Sequence, residues 1–354
     1  MPGIPCWLLG GNWRIPSMSL SCLLLLLGGL LIGAVSAILL RGGDYRNRYF
    51  YRKLYTPRAF DLILFGWRLI GEKGAWIISR SIGLAYALTH PTTVRTVRSN
   101  IALLKPEKAT YAAACRLFMN QAECFSTYGR LALGEPSEVM DLIGRREGFE
   151  HLKAAHEAGK GCFLVTGHFG FFELGGLVMT QLGFPITALT LPEPTSALTQ
   201  WRADFRARWG VKTIVVRDDT FAILDIVRTL RDGGFVASLA DRPYDDGPIA
   251  VECPHGSILF SKGPVLLALL AACPIIPVGV IRQPDGTFDI EAGTMIEPRW
   301  LPGGREETLA CYTRQIAAAL VSLFARAPEQ WYHYSPLRLN LPDAFSISRE
   351  TSGL

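Results

Sequence analysis

The residues best suited to chemistry in this sequence are a histidine and a glutamate five positions apart. His168 and Glu173 lie in the stretch 166–176, TGHFGFFELGG, where Gly167 and Gly170 allow the chain to turn tightly. Histidine is a base suited to neutral pH, and a carboxylate on its second ring nitrogen fixes the tautomer and stabilises the imidazolium. Such a pair could take the proton from a hydroxyl group that attacks a thioester, and no serine or cysteine nucleophile is then needed.

The position of this pair is more informative than its spacing, because a His-x4-Glu also occurs by chance and as a structural pair. Residues 161–166 form a short apolar run typical of a buried strand. His168 would therefore follow the carboxyl end of a strand, where open α/β sheets bind their ligands. Backbone N–H groups near Gly167 and Gly170 could stabilise an oxyanion at that place.

Apolar runs and helical stretches alternate further along the chain. Residues 186–191, 235–240 and 275–280 have strand patterns, and the segments between them are predicted to be helical. This alternation predicts an α/β fold, a mixed sheet flanked by helices, preceded by a helical region over residues 59–142. Residues 59–87 fit either core helices or amphipathic helices that lie on a membrane.

Composition and motifs argue against several other functions. The net charge of +5 is too small to suggest nucleic-acid binding, and no zinc-finger spacing is present. The histidines at positions 151, 156, 255 and 333 fit no metal-site spacing, so no metal is expected. The sequence has no Walker A loop, dinucleotide fingerprint or Gly-x-Ser-x-Gly motif, so no bound cofactor is expected either. The eight cysteines are scattered, which favours free thiols in a reducing compartment.

The N-terminal region predicts a membrane anchor. Residues 18–40 carry no charge over a length that spans a hydrocarbon core of about 30 Å. Only Arg14 precedes this segment, whereas a cluster of arginines and a lysine follows it in the linker 41–58, so the rest of the chain is expected on the cytoplasmic side. The competing interpretation is a cleaved signal peptide, for which residues 34–37 (AVSA) would be the cleavage site.

Five landmarks in order resemble the bacterial lipid A biosynthesis acyltransferases, the late lauroyl/myristoyl acyltransferase family. The resemblance runs from about residue 95 to residue 336. The landmarks are residues 146–152 (REGFEHL), 166–176, the pair Asp241-Arg242, residues 263–264 with 275–280, and 328–332 (PEQWY).

This resemblance implies a glycerolipid-acyltransferase-like fold and assigns roles to several residues. His168 would be the general base and Glu173 the acid that orients it. The family uses an arginine about thirty residues beyond this acid to hold substrate, and both Arg206 and Arg208 are candidates. Asp241 and Arg242 would contact substrate.

The charge and hydropathy patterns divide the chain into segments, and the resemblance implies the role of the catalytic domain and its partners. The predicted segments are 1–40 with the anchor at 18–40, the basic interfacial linker 41–58, the helical region 59–142, the catalytic α/β domain 143–340 and the polar tail 341–354. The implied donor is an acyl thioester of acyl carrier protein or coenzyme A, and the implied site of action is the cytoplasmic face of the inner membrane.

The acceptor stays open because the sequence departs from the family at several places. Arg242 replaces a glutamine of many members, and residues 253–256 read CPHG instead of an aromatic stretch. A lipid A-like acceptor and another glycolipid, such as a mannosylated phosphatidylinositol, are both compatible with the sequence. A glycerophospholipid or aminolipid acceptor, a thioesterase with the same pair, and a non-catalytic membrane-anchored paralogue are compatible with it as well.

Overall fold

A computed structural model describes residues 57–193, 195–216, 220–243, 247–253 and 255–339. The predicted segment 1–40 with its anchor at 18–40, nearly all of the linker 41–58 and the tail 341–354 lie outside the described residues, and they stay predictions.

Helices surround a central sheet in the described part of the chain. The helices are α1 (Pro57–Thr89), α2 (Pro91–Leu104), α3 (Tyr111–Leu133), α4 (Phe149–Glu157), α5 (Phe172–Gln181), α6 (Ser196–Arg208), α7 (Thr220–Arg231), α8 (Gly263–Ala271) and α9 (Gly304–Arg326). The strands are β1 (Ile143–Glu147), β2 (Cys162–Thr166), β3 (Ile186–Thr190), β4 (Lys212–Val215), β5 (Phe235–Leu239), β6 (Ile249–Cys253), β7 (Gly256–Phe260), β8 (Ile275–Arg282), β9 (Phe288–Ala292) and β10 (Arg338–Leu339).

Seven strands form one mixed sheet in the order β1-β9-β8-β2-β5-β3-β4. The five strands from β8 to β4 are parallel, while β9 pairs antiparallel with β8 and parallel with β1. A smaller antiparallel sheet holds β10, β7 and β6. The predicted α/β class with a mixed sheet flanked by helices is thus confirmed. Because β2 and β5 are parallel neighbours, their carboxyl ends lie side by side, with Thr166 opposite Leu239.

The apolar core lies on both faces of this sheet. Side chains alternate along β2, so that Phe163 and Val165 join one cluster, whereas Cys162 and Leu164 join the other. Helices α7, α8 and α9 cover the first face, and α3, α4, α5 and α6 contribute to the second. This two-sided burial explains why the central strand reads as a continuous apolar run.

Helix α9 is the one described helix that is long and apolar enough to cross a membrane by length and composition. Its residues Leu309, Ile316, Leu320 and Phe324 are buried in the core cluster on the first face of the sheet. Its apolar character is therefore accounted for by packing against the sheet.

Helix α1 consists of two parts that meet at Gly71. This residue has φ 67° and ψ 178°, a backbone conformation that is essentially confined to glycine. Beyond the bend the helix packs on α3, where the buried Arg80 donates to Glu123 at 2.9 Å. Before the bend Phe65 and Leu69 are exposed. Among the described side chains of this helix, the buried ones, such as Ala75, Arg80 and Ala87, all lie beyond Gly71, so the two interpretations of residues 59–87 can apply to different parts of the helix.

Candidate active site

His168 and Asp241 form the centre of the site. Each lies two residues beyond a register pair of the neighbouring strands β2 and β5, so strand pairing alone brings them together. The Nδ1 atom of His168 is 2.8 Å from Oδ1 of Asp241. The backbone N–H of His168 also donates to this carboxylate, at 3.1 Å to Oδ1 and 3.0 Å to Oδ2.

Asp241 is a buried, ionised acceptor. Asp241 is 1% exposed, and Trp331 donates its indole N–H to Oδ2 of Asp241 at 2.9 Å. Burial would raise the pKa of Asp241, but the charge and hydrogen bond of His168, with Arg242 and Trp331, hold the pKa well below its usual range. Because an ionised carboxylate only accepts hydrogen bonds, Nδ1 of His168 must carry its proton, and Nε2 is the ring nitrogen that can act as a base. Asp241 lies behind the histidine and lines neither of the two cavities beside His168, in contrast to the substrate contact expected from the sequence.

Glu173 binds arginine and tyrosine side chains instead of the imidazole, which corrects the expectation that it orients His168. It lies in the first turn of α5 and is 8% exposed. Arg206 donates to both of its carboxylate oxygens, from Nε to Oε1 and from Nη2 to Oε2 at 3.1 Å. Tyr128 donates its hydroxyl to Oε2 at 3.0 Å. Burial would raise the pKa of Glu173, but the charge and hydrogen bonds of Arg206 lower it. A buried carboxylate needs such a partner, and Asp241 already occupies the ring nitrogen of His168.

The two candidate arginines of α6 lie in different environments and have different partners. Arg206 is 5% exposed, pairs with Glu173 and reaches the cavity wall. Arg208 donates to the backbone carbonyls of Ala132 and Gly134, which caps the C-terminal end of α3. A substrate contact of Arg208 is therefore not supported by its position.

The backbone around Gly170 is already engaged, which corrects the expected oxyanion role of its N–H. Gly170 donates to the carbonyl of Gln330 at 2.8 Å, and Phe169 donates to that of Gly167 at 2.7 Å. Gly170 has φ 57°, and a Cβ atom there would lie 1.6 Å from the carbonyl oxygen of Val280. A Cβ on Gly167 would lie 2.4 Å from the ring of Phe324. Both glycines thus permit the close turn that places His168.

His168 lies between two cavities. The larger one has a volume of about 440 Å³ and extends over the ends of β3 and β5 towards α8. The smaller one, of about 190 Å³, lies between α3 and α6. Tyr128, Leu198 and Trp201 line the smaller cavity. Four residues line both cavities: His168, Phe172, Arg202 and Arg242.

Arg202 and Tyr128 belong to the site although sequence reasoning did not single them out, and Trp331 belongs to it as part of the landmark 328–332, to which no role in the site was assigned. Arg202 donates to Tyr128 at 3.2 Å and lies 3.5 Å from Glu173. Its spacing of four residues before Arg206 places both on one face of α6, which is a usable sequence signal. Tyr128 reaches the site from a distant part of the chain, and its sequence context contains no comparable signal. Trp331 is equally distant, and its landmark indicated the family segment but not the contact with Asp241.

Comparison with known proteins identifies the family of the chain. Residues 50–337 match the family model of the bacterial lipid A biosynthesis acyltransferases. Over 210 residues, 59% of this chain, the sequence is 21% identical to the phosphatidylinositol mannoside acyltransferase of Mycolicibacterium smegmatis. The match covers 64% of the length of that relative. Since the family model spans well over half of the chain, the resemblance inferred from the landmarks is confirmed, and the protein belongs to the bacterial lipid A biosynthesis acyltransferase family.

Proposed function

We propose that this protein transfers a fatty acyl chain from an acyl thioester to a hydroxyl group of a membrane glycolipid. The observation that carries the proposal is the contact of 2.8 Å between His168 Nδ1 and Asp241 at the place where two cavities meet. A base with a fixed tautomer stands there between two spaces, one for each of the two substrates of an acyl transfer.

The reaction can be followed through the residues of the site. Nε2 of His168 takes the proton of the acceptor hydroxyl as the oxygen attacks the thioester carbonyl. Asp241 stabilises the imidazolium that forms. The tetrahedral intermediate then collapses, the carbon–sulfur bond breaks, and the imidazolium gives its proton to the leaving thiolate. The products are an ester and a free thiol, and His168 returns to its starting state.

Two arginines supply positive charge where the oxyanion develops. Arg202 and Arg242 line both cavities together with His168. A cation that is fixed in place before the reaction stabilises the developing negative charge without reorganisation. Arg242 is held by a hydrogen bond to the Tyr332 carbonyl. Glu173 holds Arg206 in place and takes part in positioning, without touching the base.

The membrane and the acyl donor complete the proposal. The charge-free segment 18–40 anchors the chain, and the basic linker after it keeps the catalytic domain on the cytoplasmic face of the inner membrane. The donor is acyl carrier protein or coenzyme A carrying the acyl chain. The mycobacterial relative is named for a mannosylated phosphatidylinositol acceptor, which supports a glycolipid acceptor here.

The test is lipid mass spectrometry of cells with and without the gene, complemented with wild type or His168→Ala. We expect one glycolipid to lose a single acyl chain on deletion and only the wild-type gene to restore it. Purified protein should then release free thiol from an acyl thioester only when a lipid extract supplies the acceptor. Release of thiol and free fatty acid without acceptor would identify a thioesterase, and unchanged lipids would contradict acyl transfer.

A further inference from the structure

We propose that the first part of α1, residues 57–70, lies on the surface of a lipid bilayer and holds the smaller cavity against it. Phe65 is 60% exposed, Leu69 is 70% exposed and Ile70 is 37% exposed. Phe65 and Leu69 are four residues apart, so they lie on the same face of the helix. Phe65 and Leu69 therefore form an apolar strip on the exposed side of the segment, which is suited to an apolar partner, while Ile70 lies at the side of the helix.

The bend at Gly71 separates this segment from the packed part of the helix. The glycine-only backbone conformation there turns residues 57–70 away from the line of residues 72–89. A Cβ atom at Gly71 would meet nothing within 4 Å, so the backbone angle alone requires glycine. Beyond the bend, the ion pair of Glu72 with Arg130 at 2.8 Å fixes the helix to α3.

The exposed segment adjoins the site through its opposite face. The ring of Trp67 lies against Gly129, where an added Cβ would be 2.7 Å from the indole. Gly129 follows Tyr128, which lines the smaller cavity and donates to Glu173. The first part of α1 thus has its inner face beside the cavity wall and its apolar outer face free for a partner.

The chain itself indicates that this partner is a bilayer. The linker that leads into α1 carries the cations Arg41, Arg46, Arg48, Arg52, Lys53 and Arg58 against the one anion Asp44, and it follows the charge-free segment 18–40. On α1 the exposed cations Arg68 and Lys73 are balanced by the exposed anions Asp61 and Glu72, so the excess of positive charge beside the apolar side chains comes from the linker. An apolar helix face flanked by cations is the pattern of a helix lying in the interface of an anionic membrane. The inference deepens the proposed function and rests on it for the lipid nature of the acceptor.

The experiment uses the full chain in vesicles of phosphatidylcholine and phosphatidylglycerol that contain a phosphatidylcholine with a photoactivatable acyl chain. After illumination, labelled peptides are identified by mass spectrometry. We expect label on the peptide that contains residues 65–70. Replacing Phe65 and Leu69 together with serine should reduce this label several-fold. Leu88→Ser is the matched control, because Leu88 is 60% exposed on the packed part of the same helix, and it should leave the label at residues 65–70 unchanged.

The outcomes separate this inference from the proposed function. His168→Ala removes the proposed base and should leave the labelling unchanged, so a failure of acyl transfer does not alter the result. An unlabelled 65–70 peptide beside a labelled 18–40 segment would overturn the inference. Equal labelling at Leu88 and Leu69 would also overturn it, and so would cross-links from this peptide to a second copy or to the 18–40 segment in place of lipid.

Discussion

Replacing Asp241 with asparagine tests the proposed base most directly, because the carboxylate has a fixed set of donors around it. Oδ1 accepts from Nδ1 of His168, and Oδ2 accepts from the indole of Trp331. An asparagine has only one oxygen for these two positions. If its NH2 group faces His168, every group is satisfied but the proton moves to Nε2, and the histidine cannot act as a base. If its NH2 group faces Trp331, the tautomer is correct but two buried donors oppose each other.

The magnitude follows from those unpaired donors. Each buried donor without an acceptor costs about 1–3 kcal/mol, so the productive arrangement of the variant lies about 2–6 kcal/mol above the unproductive one. At about 1.4 kcal/mol per factor of ten, Asp241→Asn should lower turnover by about 30-fold to about 10⁴-fold. The assay is the release of free thiol from an acyl thioester in the presence of the lipid acceptor, with urea unfolding to show that the variant is folded.

A second substitution tests the reasoning about the tautomer. Trp331→Phe removes the N–H that opposes the asparagine amide, so the double variant should be about tenfold faster than Asp241→Asn alone. Trp331→Phe alone is the control and should lose little turnover, since the carboxylate still holds His168. A double variant that is no faster than the single one would refute the tautomer argument, and an Asp241→Asn protein with wild-type turnover would refute the role of Asp241 altogether.

Four further results are expected. The pKa of Asp241 is lower in the folded protein than its unfolded value of about 3.9. Wild type should therefore gain its full stability over Asp241→Asn above about pH 4, and this difference should shrink as the pH falls below that value. Urea unfolding at several pH values measures the difference. Glu173→Gln leaves the buried Arg206 charge without its partner and should lower the free energy of unfolding by about 3–5 kcal/mol; a change below about 1 kcal/mol would contradict the buried pair. Gly170→Ala should prevent folding because its Cβ would meet the backbone at 1.6 Å, whereas Gly183→Ala, with φ 86° and open space, should cost only about 1–2 kcal/mol by circular dichroism melts. Deleting residues 1–40 should release the protein from salt-washed membranes while acyl transfer to detergent-dispersed acceptor persists, and full retention in the membrane pellet would place the anchor elsewhere.

The fold and the position of His168 could be predicted because both depend on local patterns. Short apolar runs next to glycine identify strands, and the carboxyl end of a buried strand is where a ligand-binding residue is expected. The partner of the histidine could not be chosen in the same way. Glu173 is close to His168 in sequence, but Asp241 is close to it in space because β2 and β5 are neighbours in the sheet. The residue pattern of a single strand does not indicate which strands lie beside it.

The choice between Arg206 and Arg208 shows a second limit. The two residues are separated by about 200° around α6, so only one of them can face the sheet. The face is set by the packing of the helix, where Leu198, Phe205 and Arg206 are buried. The weak apolar pattern of this helix conceals that face, because a buried arginine counts as polar in any periodicity analysis.

The site is closed by residues 330–332, about 90 positions after Asp241 in the chain. Trp331 reaches Asp241 from 90 positions further along the chain, Gln330 accepts from Gly170, and Tyr332 donates to the carbonyl of His168 at 2.8 Å. A nascent chain can therefore contain His168 and Asp241 for a long interval without holding either in its final place. Chains that terminate before residue 328 should be inactive even though His168 and Asp241 are present, because the groups that hold them are missing, so the chemistry becomes available only after residues 330–332 have joined the site.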